Sequence, residues 1–225
     1  MKSHHDNMGF FNDNYHLGIN WYRSFFPTIF TENKILREHG KFLSFDVTTR
    51  YMEDRSNAEN IKKIKPEMKI ITILRNPVDR AYSQFNLSSK EIDQPSDFET
   101  YISKEIIELN KKLKTNEKLE FTKQEQHYVQ KGIYSIQLKP WFEIFPRENI
   151  LILSTEDLEK NNASVYSEIF NFLDIPDCEI DAKRRIGKGE YLPMKNTTRQ
   201  ILSDFYKEHN EELFKLIGKR FEWIS

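Results

Sequence analysis

Lys69-Ile70-Ile71-Thr72-Ile73-Leu74-Arg75-Asn76-Pro77-Val78-Asp79-Arg80-Ala81-Tyr82-Ser83 is the stretch on which the fold of this chain turns. Ile70 to Leu74 is a short apolar run rich in β-branched residues, the pattern of a strand covered on both faces. Arg75 stands where that strand ends. Asn76 can cap a following helix, and Pro77 suits its first position, where no amide donor is needed. Asp79 then falls in the first turn, favoured by the helix dipole, and Arg80 and Ser83, three apart, share a helix face. A guanidinium, a hydroxyl and a helix N-terminus thus meet at the carboxyl edge of a parallel sheet. That combination suits an anion, at the place where open α/β sheets bind ligands. The same pattern also describes an ordinary strand–turn–helix junction whose arginine pairs with a surface carboxylate, and chemistry alone does not choose between them.

Outward from this stretch, 225 residues give one domain, 1–225, with enough chain for a proper core. A charged fraction of 31% beside 13% aromatic residues fits a well-cored globular protein. The net charge of −1 provides no global field for nucleic acid, so anion recognition must be local. The lone Cys178 excludes an internal disulfide and a cysteine cluster for zinc, and no metal is expected. No apolar run approaches the ~20 residues of a membrane helix, and the polar, His-rich start carries no signal peptide. A cytoplasmic setting without membrane contact is expected.

Two further strands are predicted, an alternating one at Leu43–Val47 and a buried one at Ile150–Leu153. Between the central helix and the last strand, Ser96-Asp97-Phe98-Glu99 reads as a capping box opening a helix through Phe98, Ile102, Ile106 and Leu109. A helix face follows through Leu138, Trp141 and Phe145, with Pro140 implying a kink or a late start. Another helix carries Val165, Ile169, Phe172 and Leu173, and a last one spans about Thr198 to Ile217, burying Ile201, Phe205, Leu213 and Phe214 before Gly218. Arg184-Arg185-Ile186-Gly187-Lys188-Gly189 is a basic loop whose glycines would let backbone amides approach an anion. The fold class is α/β with a mostly parallel central sheet.

Leu74-Arg75-Asn76-Pro77-x-x-Arg80-Ala81-Tyr82-Ser83 resembles the second nucleotide motif of sulfotransferases that use 3′-phosphoadenosine 5′-phosphosulfate (PAPS), in particular the heparan-sulfate-type branch and its bacterial relatives. The resemblance implies a three-layer fold like that of P-loop NTPases. It further implies that Arg75 and Ser83 hold the 3′-phosphate of the nucleotide, and that Lys188 and Gly189 belong to a loop closing over it. An Arg fork and a Ser hydroxyl suit a phosphate. Phe42-Leu43-Ser44-Phe45-Asp46-Val47-Thr48 is similar to the family's Gly-Glu-x-Ser stretch, which places Asp46 and Thr48 at the acceptor pocket; Val47 stands where many relatives have a lysine. On its residues alone, Asp46 equally serves to cap the following turn. Gly132-Ile133-Tyr134 with Leu138, Trp141, Phe145-Pro146 and Glu156-Asp157-Leu158 follows the family series position by position and supports the fold more than the chemistry. So does the early aromatic series of Phe10-Phe11, Tyr15, Gly18, Trp21-Tyr22 and Phe26-Pro27, and the closing Trp223.

The family's first nucleotide motif, a phosphate loop after the first strand, has no counterpart, so the sheet is expected to lack that strand and loop through N-terminal truncation. The β1 edge at Ile70–Leu74 would then be exposed. Sulfonyl transfer needs a base for the acceptor's proton. His5 and Asp6 supply one if the segment folds as in relatives, and otherwise are part of a frayed terminus. The expected function is therefore transfer of a sulfonyl group from PAPS, as co-substrate, to a hydroxyl or amine of a glycan or small-molecule acceptor. The alternative is a sulfotransferase-like protein binding a nucleotide or sulfated ligand without turnover. A P-loop kinase is disfavoured, since no Gly-x-x-x-x-Gly-Lys-Ser/Thr sequence occurs.

Overall fold

A computed structural model describes residues 8–88, 97–121, 127–178, 180 and 191–223. The chain packs as two compact units, Met1–Pro66 and Glu67–Ser225.

Among its described residues the first unit carries the α-helices α1 (Gly18–Arg23), α2 (Ile29–His39) and α3 (Arg55–Ile64). The early aromatic series forms its core. Phe10 and Phe11 are buried, Phe10 stacks on Tyr22 at 4.4 Å between ring centroids, and Phe11 meets Tyr51 edge-on at 5.4 Å. Asp54 caps α3 by accepting from the Ser56 amide at 2.8 Å. The strand expected at Leu43–Val47 does not form: the segment has no regular secondary structure and pairs with no described strand. Its alternating apolar side chains face outward, with Phe45 76% exposed. Asp46 organises the turn that follows: it accepts from the Tyr51 hydroxyl at 2.6 Å and from the Thr48 hydroxyl at 3.0 Å.

The second unit holds β1 (Ile70–Leu74), α4 (Pro77–Ser88), α5 (Phe98–Lys114), α6 (Tyr134–Ile144), β2 (Ile150–Ser154), α7 (Thr155–Lys160), α8 (Asn162–Leu173) and α9 (Asn196–Ile217). β1 and β2 are parallel, in register from Ile70 opposite Ile150 to Leu74 opposite Ser154. Among the described residues nothing pairs with the other edge of β1, and Ile71 and Ile73 stand 36% and 49% exposed. The core lies under α4, α5 and α9, where Val78, Ala81, Phe98, Ile102, Leu109, Leu202 and Tyr206 pack with Tyr128, Val129 and Ile133. Pro140 is accommodated within α6.

Two local expectations shift by a residue. Asp97, one residue after Ser96, caps α5 by accepting from the Thr100 amide at 2.8 Å; Ser96 lies outside the described residues. Glu99 is thereby free to bind α9 rather than to close a capping box. The buried face of α9 runs through Leu202, Tyr206, Leu213 and Ile217, while Ile201 is 50% exposed. That rotation puts the Tyr206 hydroxyl within 2.7 Å of the Val129 carbonyl, which satisfies both buried groups. Gly218 ends the helix in the left-handed conformation.

One buried carboxylate sets the turn that leads into α6. Glu105 of α5 accepts from three successive amides, those of Tyr128 at 3.0 Å, Val129 at 3.0 Å and Gln130 at 2.8 Å. Burial pushes this carboxyl up, while the amides and nearby His127 pull it down. Glu105→Ala strips three buried donors of their partner, each worth about 1–3 kcal/mol. The variant is expected to lose on the order of 3 kcal/mol in urea denaturation; a loss below ~1 kcal/mol would show that the turn stands without the carboxylate.

Candidate functional site

The expected cap and helix start after β1 are both present. Asn76 is buried, its Oδ1 accepts from the Val78 amide at 3.0 Å, and Pro77 opens α4. The backbone just beyond the last strand pair is held by side chains. The Tyr134 hydroxyl donates to the Arg75 carbonyl at 2.9 Å, and the Asn76 amide donates to Glu156 Oε1 at 2.9 Å. Burial pushes the Tyr134 phenol up to about 12, against the pull of the nearby Arg80 charge, so it stays a donor at neutral pH. Glu156 is itself fixed: its Oε2 accepts from the Ser154 hydroxyl at 2.8 Å and from Trp223 Nε1 at 3.1 Å. Ser154 also caps α7, accepting from the amides of Glu156 and Asp157 at 3.1 and 3.2 Å.

In front of this turn lies a groove of about 360 Å³. Arg75, Asp79 and Tyr82 form one wall; the segment 191–194 with Asn196 and Arg199 forms the other. The walls are tied together. Tyr82 donates to the Leu192 carbonyl at 2.8 Å and meets Tyr191 edge-on at 5.4 Å, and Arg199 pairs with Asp79 at 2.6 Å. Behind them, Glu99 holds the start of α9 through Thr198 at 3.0 Å and Lys195 at 3.2 Å. Burial raises Glu99, yet its hydrogen bonds, those from Lys195 and Thr198 among them, outweigh it and hold its carboxyl below the ordinary value.

The electrostatic outcome is simple. Asp79 and Arg199 neutralise each other, whereas the Arg75 guanidinium makes no hydrogen bond or ion pair with any described residue. Arg80, one turn into α4, keeps a buried Nη1 without a hydrogen-bond partner. A half-buried guanidinium with no partner among the described residues, beside a helix N-terminus, can take a doubly charged oxyanion such as a phosphate.

Of the residues singled out from the sequence, Arg75 faces this groove. Ser83 sits on α4 one turn beyond Asp79, half-buried and with no hydrogen bond to a described residue, but it is not part of the groove wall. Asp46 and Thr48 do meet, in the first unit. Both Asp46 oxygens are taken by Thr48 and Tyr51, and the Thr48 hydroxyl also accepts from the Gly9 amide at 3.3 Å, so the pair organises its own turn. His5, Asp6, Lys188 and Gly189 lie outside the described residues. Sequence reading missed the inward turn of Glu156 and Tyr134 and the Asp79–Arg199 pair. Glu156, two residues after a strand-ending serine, reads as a helix start, and its bond to Asn76 spans 80 positions that no local pattern reports. Among the described residues, no three His, Cys, Asp or Glu side chains are grouped to hold a metal ion, and no helix is long and apolar enough to cross a membrane.

The family model for the sulfotransferase domain matches residues 4–224. The chain belongs to the sulfotransferase family. It is 28% identical over 235 residues to the human bifunctional heparan sulfate N-deacetylase/N-sulfotransferase 3, covering 93% of this chain and 25% of that one. It is 29% identical over 235 residues to the Mus musculus N-deacetylase/N-sulfotransferase 4, with the same coverage. This family member thus spans about a quarter of the length of the curated relatives it matches. A crystal structure of a sulfotransferase from Alicyclobacillus acidocaldarius has the same fold, with a TM-score of 0.61 at 20% identity over 91% of this chain and 76% of that one.

Gly132 of the Gly-x-Tyr sequence has a steric role in this site. A Cβ there would lie 2.5 Å from the Tyr206 hydroxyl and 2.9 Å from Cβ of Pro77, the first residue of α4. Gly132→Ala must therefore displace either the buried tyrosine or the start of α4. Overpacking of this kind costs about 1–3 kcal/mol, which a thermal or urea melt will read; an unchanged melt would mean the contact relaxes freely.

Proposed function

We propose that this chain carries sulfonyl transfer from PAPS to a hydroxyl or amine of a glycan acceptor. The observation that carries the reading is the Arg75 guanidinium, which bonds to no described residue, at the carboxyl end of β1 beside the capped start of α4, in a member of the sulfotransferase family. A nucleotide bearing a 3′-phosphate suits the charge of that site. Arg75 offers two parallel N–H donors to the phosphate, Ser83 adds a hydroxyl from α4, and Tyr82 and Tyr191, facing each other across the groove, offer aromatic surface to the nucleoside. Lys188 and Gly189 belong to the same reading as the loop that completes the phosphate contacts.

The reaction forms one bond from the acceptor oxygen or nitrogen to sulfur and breaks one from sulfur to the 5′-phosphate oxygen. The departing product is adenosine 3′,5′-bisphosphate, and the acceptor's proton goes to a base, a role for which His5 and Asp6 are the sequence candidates. Asp46 and Thr48 remain the candidates for acceptor contact. The glycan class comes from relatives named for heparan sulfate N-sulfotransfer.

Calorimetric titration with adenosine 3′,5′-bisphosphate tests the reading. Removing a bidentate, charge-assisted contact costs about 3 kcal/mol, so Arg75→Ala is expected to weaken binding roughly 100-fold. Ser83→Ala, losing one hydroxyl donor at about 1 kcal/mol, should weaken it roughly fivefold. Labelled sulfonate from PAPS should appear on a polysaccharide bearing free amines and hydroxyls, and fall with the same ranking. Wild-type affinity in a folded Arg75→Ala variant would overturn the assignment.

A further inference from the structure

Three sequence features have no part in the chemistry above: Tyr134 of the Gly-x-Tyr sequence, Glu156 of the Glu-Asp-Leu sequence, and the closing Trp223. The structure brings Tyr134 and Glu156 to one peptide unit and Trp223 against both of them. The Arg75 carbonyl and the Asn76 amide belong to the same planar group, and they lie one step beyond Leu74 and Ser154, the last paired residues of the sheet. The ladder therefore supplies them with no partner, and buried backbone groups of this kind need one. Tyr134 takes the carbonyl at 2.9 Å and Glu156 takes the amide at 2.9 Å. Because the two groups point to opposite sides of the peptide, holding both fixes the rotation of the plane.

Helix capping does not account for this arrangement. The Asn76 side chain already caps α4 through the Val78 amide. The two holding groups are also braced against each other. Trp223 donates to Glu156 Oε2 at 3.1 Å, and its ring packs against that of Tyr134 at 6.0 Å. Ser154 holds the same carboxylate oxygen at 2.8 Å.

We propose that Tyr134 and Glu156 are positioning residues for nucleotide binding: by clamping the peptide between Arg75 and Asn76 from both sides, they set the direction in which the Arg75 side chain leaves the strand. This rests on the reading of Arg75 as the 3′-phosphate ligand. Among the described residues the guanidinium has no partner to orient it, so its backbone does so before the phosphate arrives. An arginine on a loose turn would pay that ordering on binding.

The test uses Tyr134→Phe and Glu156→Leu, which remove the donor and the acceptor that hold the peptide at little change in size, with melts to confirm folding. Each is titrated with adenosine 3′,5′-bisphosphate and with adenosine 5′-monophosphate, which lacks the 3′-phosphate. The expected result is a loss of about tenfold for the bisphosphate, the size of one lost hydrogen bond, with the monophosphate unchanged. An equal loss for both ligands would mark a merely structural role, and an unchanged bisphosphate affinity in folded variants would likewise overturn the clamp. If the wild-type chain binds neither ligand, the nucleotide reading fails by itself. The clamp is then judged on hydrogen exchange at the Asn76 amide, expected to be slow in the wild type and selectively faster in Glu156→Leu; exchange that does not respond would overturn it.

Discussion

The Glu156 carboxylate gathers donors from three separated parts of the chain: the Asn76 amide after β1, the Ser154 hydroxyl at the end of β2, and the Trp223 indole near the C-terminus. A sheet of two parallel strands has few hydrogen bonds of its own, and parallel pairs are the less stable kind. Its carboxyl end is also where the ladder stops and where a ligand site has to be built. Hydrogen bonds to a charged group contribute about 1.5–3 kcal/mol each, more than neutral ones. One carboxylate thus ties the end of β2, through the Ser154 hydroxyl that caps α7, to the turn into α4. Nearly every feature of the groove, from the exit of Arg75 to the first turn of α4, follows from where that turn is held.

A second constraint acts from the other side of the groove. The start of α9 and the segment before it are tied to α4 and α5 by Arg199–Asp79, by Thr198 and Lys195 on Glu99, and by Tyr82 on the Leu192 carbonyl. The Asp79–Arg199 pair is about one-third exposed on each side, so its worth in stability is small, on the order of 1 kcal/mol or less. Its consequence is electrostatic. With Asp79 engaged by Arg199, the charge offered to the groove is that of Arg75, and a site for an anion remains in a chain whose net charge is −1.

Much of this was legible in the sequence, for identifiable reasons. Ile70–Leu74 and Ile150–Ser154 announce themselves as strands because apolar, β-branched runs between turn signals have few other fates. Asn76-Pro77 fixes a helix start because the chemistry of a cap is local. What the sequence hid is non-local. The alternation at Leu43–Val47 satisfies a strand pattern, yet a strand exists only with a partner, and Asp46 bonds instead with Thr48 and Tyr51. The α9 face was misread by one residue because Ile201 and Leu202 are equally apolar; the hydroxyl of Tyr206, seeking the Val129 carbonyl, decides between them. Arg75 could be named from its motif, whereas the groups that hold its peptide lie 59 and 80 positions away.

The most direct measurement is the crystal structure of the chain in complex with adenosine 3′,5′-bisphosphate. The account predicts the 3′-phosphate at the carboxyl end of β1, with the Arg75 guanidinium and the Ser83 hydroxyl at hydrogen-bonding distance, about 2.7–3.1 Å, and the peptide between Arg75 and Asn76 unmoved. A nucleotide seated elsewhere, with Arg75 still without a partner, would contradict it.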